Sequence, residues 1–147
     1  MSVAANEYAG DVTCHEAWQV LATVKGAQLI DVRTRAEWSF VGLPDLSALG
    51  LGPLRVEWQL FPSGERNPDF IAEVDAALCK AGAAPQAPLL LLCRSGGRSA
   101  AAAAALTQAG FGPAYNIIGG FEGDLDAAHH RGLTGGWKAA GLAWQQG

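Results

Sequence analysis

The chain has 147 residues, the size of one ordinary domain, and half of them are hydrophobic, which is enough apolar matter for a packed core. A charged fraction of 16% and a slightly positive mean hydropathy do not fit a disordered chain, and a net charge of −4 argues against a broad nucleic-acid-binding surface, so any positive site must be local. Three cysteines, Cys14, Cys79 and Cys93, are odd in number and none are spaced C-x-x-C, which argues against a disulfide framework and against a structural zinc site. Met1 to Gly10 has neither a basic stretch nor an apolar one of the kind that directs secretion, and the alanine-rich run Ala100 to Leu106 is far too short to span a bilayer. A cytoplasmic protein with no membrane partner, folded as one domain over 1–147, is the expectation.

In chain order, Thr13-Cys14-His15-Glu16 reads as a capping box, followed by Ala17, Trp18, Leu21 and Val24 at helical spacing and closed by Gly26. Ala27 to Val32 predicts a short strand ending at Asp31 and Arg33, and Thr34 is placed to cap a second short helix through Trp38. Val41 to Gly64 is rich in glycine and proline and predicts loops, with a candidate strand at Leu54 to Trp58. Asn67-Pro68 predicts a helix start, with Asn67 as cap, and Phe70, Ile71, Val74, Ala77 and Leu78 form that helix's apolar face. After the connector Ala81 to Pro88, the run Leu89 to Leu92 predicts a strand buried on both faces. A helix from near Arg98 or Ser99 to Gln108, closed by Gly110, and a strand from Ala114 to Ile118 complete a βαβα succession, and hence an α/β domain with a mainly parallel sheet.

The chemistry is expected at Cys93-Arg94-Ser95-Gly96-Gly97-Arg98-Ser99, which lies between a strand and a helix. Sites in open α/β sheets form beyond the carboxyl ends of the strands. A helix N-terminus there presents free N–H groups and the positive end of its dipole. Gly96 and Gly97 permit a backbone nest of inward N–H groups, and Arg94 and Arg98 add positive charge. Free cysteine thiols titrate at pH ~8.5, and helix N-termini and cations favour the thiolate, which is the reactive form. Cys93 is therefore the candidate nucleophile, whereas Cys14 and Cys79, each on a predicted helix, read as inert buried thiols. Cysteine phosphatases carry a C-x5-R loop around a tetrahedral phosphate. The C-x4-R spacing from Cys93 to Arg98 makes a smaller ring of N–H groups, better suited to the terminal sulfur of a persulfide.

The same loop resembles the active-site loop of single-domain rhodaneses. Asp31-Val32-Arg33 with Glu37-Trp38 is similar to that family's upstream "DVR…E(W/F/Y)" signature, and Gly119-Gly120, Trp137 and Gly141-Leu142 to its "GG…W…GLP" close. The resemblance implies a rhodanese-like three-layer α/β sandwich, a five-stranded mainly parallel sheet with helices on both faces. It also implies sulfur transfer by a thiosulfate sulfurtransferase without metal or organic cofactor. Cys93 would pass through a persulfide, with Arg94, Ser95, Gly96, Gly97, Arg98 and Ser99 binding a small anionic sulfur donor. The acceptor would be cyanide in the test tube, and a thiol or a sulfur-carrier protein in the cell. Two departures stand out. Val41 to Leu46 lacks the histidine of the "GHIPGA" segment, and an insert, Phe121 to Gly136, precedes Trp137. Both bear on specificity more than on reaction type.

Asp31 and Arg33 read as a pair bracing the Cys93 loop rather than as reacting groups. His129 and His130, with Asp124 and Asp126, lack metal-ligand spacing and are placed instead near the entrance to the Cys93 pocket. The tryptophans read as core or loop-covering residues. Two alternatives stay open: a persulfide carrier module that docks on a partner enzyme, and a phosphatase or arsenate reductase built on the same loop logic.

Overall fold

The computed structural model of the chain describes residues 8–131 and 135–146. Five strands form one parallel sheet: β1 (Gly10–Val12), β2 (Gln28–Asp31), β4 (Leu54–Arg55), β5 (Leu89–Leu92) and β6 (Ala114–Ile117), in the order β1-β6-β5-β2-β4. A second, antiparallel ladder joins β3 (Leu43–Pro44) to β7 (Trp144–Gln145). The helices are α1 (Cys14–Thr23), α2 (Arg35–Phe40), α3 (Phe70–Lys80), α4 (Gly97–Gln108) and α5 (Gly136–Ala139). No helix among the described residues is long and apolar enough to cross a membrane.

The pleat divides the central leucines between two cores. Successive side chains on a strand point to opposite faces. Leu89 and Leu91 therefore meet Ile30, Phe70, Val74 and Leu78 on the side covered by α3 and α4. Leu90 and Leu92 meet Leu29, Ala17, Leu21, Phe121 and Trp137 on the side covered by α1 and α5. All four leucines are inaccessible to solvent, as expected of a strand flanked on both faces by helices.

Both threonine caps form as the sequence predicts. Thr13 accepts from the Glu16 N–H while Glu16 accepts from the Thr13 N–H, and Thr34 and Glu37 do the same at α2. The predicted start of α3 is displaced. The helix begins at Phe70, not after Asn67, because the Asn67 side chain is used elsewhere. Its carbonyl oxygen accepts from Asp69 N–H at 2.9 Å, and its amide donates to Glu57 O at 2.9 Å and to Glu73 Oε1 at 2.8 Å. Those bonds tie the α3 turn to the segment that leaves β4. The strand predicted at Leu54 to Trp58 is a ladder only over β4, although Val56 and Trp58 still donate to Asp31 O and Val32 O. Helix α4 begins at Gly97, slightly earlier than predicted. Strands β1, β3 and β7 are too short to leave a periodic signal.

Cys79 departs from its sequence reading: it lies exposed on α3, whereas Cys14 and Cys93 are buried, and all three thiols are free. Trp58 and Trp137 are core residues as expected, but Trp144 on the short β7 is 39% exposed.

Leu91 lies at the centre of the sheet with no exposed surface. Replacing it with alanine is expected to lower the unfolding free energy by about 2–5 kcal/mol, read from the urea midpoint. A loss below about 1 kcal/mol would show that the central strand is not packed as described.

Candidate functional site

Parallel pairing brings the carboxyl ends of β5, β2 and β6 to one edge, and the chain places Cys93, Val32-Arg33 and Ile118-Gly119-Gly120 there. Cys93 follows β5 directly and is 1% exposed. The turn that follows depends on Gly96, which caps α4 in a positive-φ conformation at +119°. In that conformation Gly96 N–H donates to Cys93 Sγ at 3.1 Å. Ser99, fully buried in the first turn of α4, holds its Oγ 3.2 Å from the same sulfur. The sulfur thus sits at the amino end of a twelve-residue helix, where unpaired N–H groups and the dipole favour negative charge.

A second turn straps the Cys93 peptide from β6. Phe121 N–H donates to Cys93 O at 2.8 Å, and the Glu122 and Gly123 N–H groups donate to Arg94 O at 2.9 and 3.1 Å. Gly120, at φ +60°, lies so close to this peptide that a Cβ there would fall on the Cys93 carbonyl and on Arg94. The paired glycines of the sequence are therefore required by a close backbone approach, at least at Gly120.

Asp31 and Arg33 form a fully buried ion pair beside this strap. Arg33 Nε and Nη2 donate to the two Asp31 oxygens at 2.9 and 2.7 Å, and Nη2 also donates to Gly42 O at 2.7 Å. The guanidinium lies over the Phe121 ring at 4.4 Å. Phe121 in turn meets Trp144 edge-on at 6.0 Å, with Lys138 Nζ 4.0 Å from the Trp144 ring. Gly42, at φ +118°, leaves room for this arrangement, because a Cβ there would lie 2.7 Å from Gln145 O. The segment that lacks the expected histidine thus contributes a carbonyl to the buried arginine.

Arg98 is placed differently from its sequence reading. Its guanidinium does not point free into the cradle: Nη1 and Nη2 donate to the two oxygens of Glu37 at 2.8 and 2.9 Å. Burial works to raise the Glu37 carboxyl, but the paired Arg98 and the bonds from Thr34 outweigh it and hold it at about 2. Burial likewise works against the charge on Arg98, and Glu37 more than restores it. Glu37 therefore caps α2 and clamps α2 to the start of α4. Arg94 is exposed and makes no ion pair among the described residues. Ser95 and Gly97 complete the loop without a side-chain bond to the sulfur.

Two residues absent from the sequence reading join the site. Asn116 on β6 is in register with Leu91 on one side and Asp11 on the other. Register partners in a parallel pair share a face, so Asn116 points to the α4 side, as Leu91 and Cys93 do. Its Oδ1 lies 2.6 Å from Ser99 Oγ, and its Nδ2 donates to Asp11 Oδ1 at 3.1 Å. A polar residue inside an otherwise apolar strand was the available signal. Cys14 is the contrast to Cys93: burial pushes its thiol up to about 11, and it donates to Gly120 O at 3.5 Å. His129 and His130 belong to a turn closed by Asp126, whose carboxylate accepts from His130 N–H at 2.8 Å. The insert that contains them runs through 132–134, outside the described residues.

A family model described as the STR4 middle domain matches residues 9–147. An uncharacterized RP600 homolog from Rickettsia rickettsii is 36% identical over 130 residues, covering 88% of this chain and 92% of its own. The uncharacterized protein RP600 of Rickettsia prowazekii is 33% identical with the same coverage. Among solved structures, Rv0390 from M. tuberculosis superposes with a TM-score of 0.85 at 49% identity, covering 96% of this chain and all of that one. The polysulfide-sulfur transferase homodimer of Wolinella succinogenes superposes with a TM-score of 0.57 at 22% identity, over 98% and 82% of the two chains, a likeness of fold alone. The fold is rhodanese-like, and the chain belongs to the STR4 middle domain family.

The clamp predicts a pH dependence. Glu37 binds its proton less readily folded than at its ordinary value of 4.5, so the unfolded chain takes up more protons between those values. The stabilisation is fully present above about pH 4.5 and is lost as pH falls towards 2. Glu37→Gln is expected to lower the unfolding free energy at pH 7 by about 1–2 kcal/mol. The difference from wild type should shrink in denaturant titrations at pH 3, and a gap independent of pH would contradict the clamp.

Proposed function

We propose that the chain is a sulfurtransferase that moves a sulfane sulfur from a small anionic donor, with thiosulfate as the model, to a thiophilic acceptor through a persulfide on Cys93. The observation that carries this reading is the Cys93 sulfur held 3.1 Å from the Gly96 N–H at the start of α4. Negative charge on that sulfur is favoured there without a metal or an organic group.

In the first half-reaction the Cys93 thiolate attacks the outer sulfur of thiosulfate. An S–S bond forms to Cys93 as the bond to the sulfonate sulfur breaks, and sulfite leaves with the bonding pair. In the second, a nucleophile such as cyanide, a thiol or a sulfur-carrier protein attacks the terminal sulfur. The electron pair of the persulfide bond returns to Cys93, which is again a thiolate. This is a ping-pong sequence. Exposed Arg94 draws the anionic donor to the loop mouth. Arg98, committed to Glu37, supports the loop instead of meeting the donor. Asp31 and Arg33 brace the β2 side of the same edge. The C-x4-R spacing weighs against phosphate transfer, and sulfur transfer in excess of aryl phosphate hydrolysis is the expected balance of activities.

Incubation with thiosulfate should add one sulfur atom to the intact mass, located on Cys93 by peptide mapping. Cys93→Ser should take up none, and cyanide should discharge the wild-type adduct as thiocyanate. Sulfur located on Cys14 or Cys79 instead would contradict the assignment.

A further inference from the structure

The hydrogen bonds around Ser99 do not balance: of three acceptors in reach of its hydroxyl, two must go without its proton. Its Oγ lies 2.6 Å from Asn116 Oδ1, 3.2 Å from Cys93 Sγ and 3.3 Å from Gly96 O, and a hydroxyl has one proton to give. Asp11 decides the outcome. A carboxylate only accepts, so the Asn116 group that faces Asp11 Oδ1 at 3.1 Å must be the amide NH2. Tyr8, which donates to the same oxygen at 2.7 Å, holds Asp11 in place. The Asn116 carbonyl is thereby turned towards Ser99. Two oxygens at 2.6 Å need a proton between them, and only Ser99 carries one.

We propose that Asn116, oriented by Asp11, is a positioning residue that draws the Ser99 hydroxyl proton away from the Cys93 sulfur and so keeps the ionised sulfur nucleophilic. Ser99 then turns its lone pairs to the sulfur: it accepts from a thiol S–H and gives nothing to a thiolate. Among the described residues, the thiolate keeps only the Gly96 N–H as a donor. A thiolate with more hydrogen-bond donors is more stable but a weaker nucleophile, because nucleophilicity falls as the thiol becomes more acidic. The proposal rests on Cys93 being the reactive thiol of the preceding reading, and does not require that sulfur be the group transferred.

The test is alkylation of Cys93 by iodoacetamide. The sulfur lone pair forms an S–C bond and iodide leaves with the electron pair, with no sulfur donor involved. The rate is read from the Cys93 peptide at alkaline pH, on the plateau where the thiol is fully ionised. In Asn116→Leu, Ser99 is free to donate to the sulfur, and the plateau rate should fall about three- to fivefold. Asp11→Ala should fall by a similar factor, because the freed amide turns its NH2 towards Ser99. Asp11→Asn, whose carbonyl still accepts from Asn116, should retain the wild-type rate. In a Ser99→Ala background neither Asn116→Leu nor Asp11→Ala should lower the rate further. A decrease that persists undiminished in that background would overturn the proposal, as would an unchanged rate in Asp11→Ala. Asp11 is exposed, so its variants carry the test even if Asn116→Leu does not fold. Normal alkylation behaviour without thiosulfate loading would count against the proposed activity alone, and thiosulfate loading with either overturning result against this proposal alone.

Discussion

Everything at the carboxyl edge of this sheet is arranged around one contact, the Gly96 N–H directed at the Cys93 sulfur. That contact needs a residue at positive φ where α4 begins, a strand that ends just before the cysteine, and a second chain segment to hold the cysteine's carbonyl. Glycine meets the first need, the four buried leucines of β5 meet the second, and the turn after β6 meets the third. None of the three is useful alone. A helix N-terminus without the strap would leave the sulfur free to turn away, and a strap without the helix would hold an ordinary buried thiol. Cys14 shows that a place at a helix start is not enough either: it is the first residue of α1, but its thiol donates to the Gly120 carbonyl, and burial outweighs its backbone hydrogen bond and suppresses ionisation.

Charge in the loop is handled by division of labour. A cation in contact with the sulfur would hold a thiolate or persulfide in place and slow its release. Arg98, the arginine whose spacing defines the motif, is instead neutralised by both oxygens of Glu37, and what it supplies is fixed geometry between α2 and α4. Arg33 is likewise consumed by Asp31, by the Gly42 carbonyl and by the face of Phe121. Breaking the buried Asp31–Arg33 partnership would leave an unpaired charge, which costs more than the pair itself contributes. Arg94 remains as the exposed cation of the loop.

Most of the frame was legible in the sequence because its signals are local. A threonine three residues before a glutamate fixes a helix start through two reciprocal hydrogen bonds, and Thr13 and Thr34 both do so. A run such as Leu89 to Leu92 has no polar face and must be buried on both sides. The site was legible as far as the chain is contiguous: Cys93, Gly96 and Ser99 lie in one loop and the helix turn that follows it. The pairing of Arg98 with Glu37 was not, since it spans 61 positions and depends on where α2 crosses α4. Asn116 escaped for a related reason. Its meaning comes from register, which sets it between Asp11 and Leu91, and register is a property of the assembled sheet. The displaced start of α3 has a local cause, because the Asn67 side chain bonds to Glu57 and Glu73 in addition to turning the chain.

The central claim is that the sulfur held by the Gly96 N–H is the one that exchanges bonds with a sulfane donor. The most direct measurement is the sulfite released when the protein is mixed with thiosulfate in the absence of any acceptor. The account predicts a burst of about one sulfite per chain that then stops, because each persulfide forms once and waits for an acceptor. It also predicts no burst from Cys93→Ala. Absence of a burst in the wild type, or a burst that survives in Cys93→Ala, would contradict it.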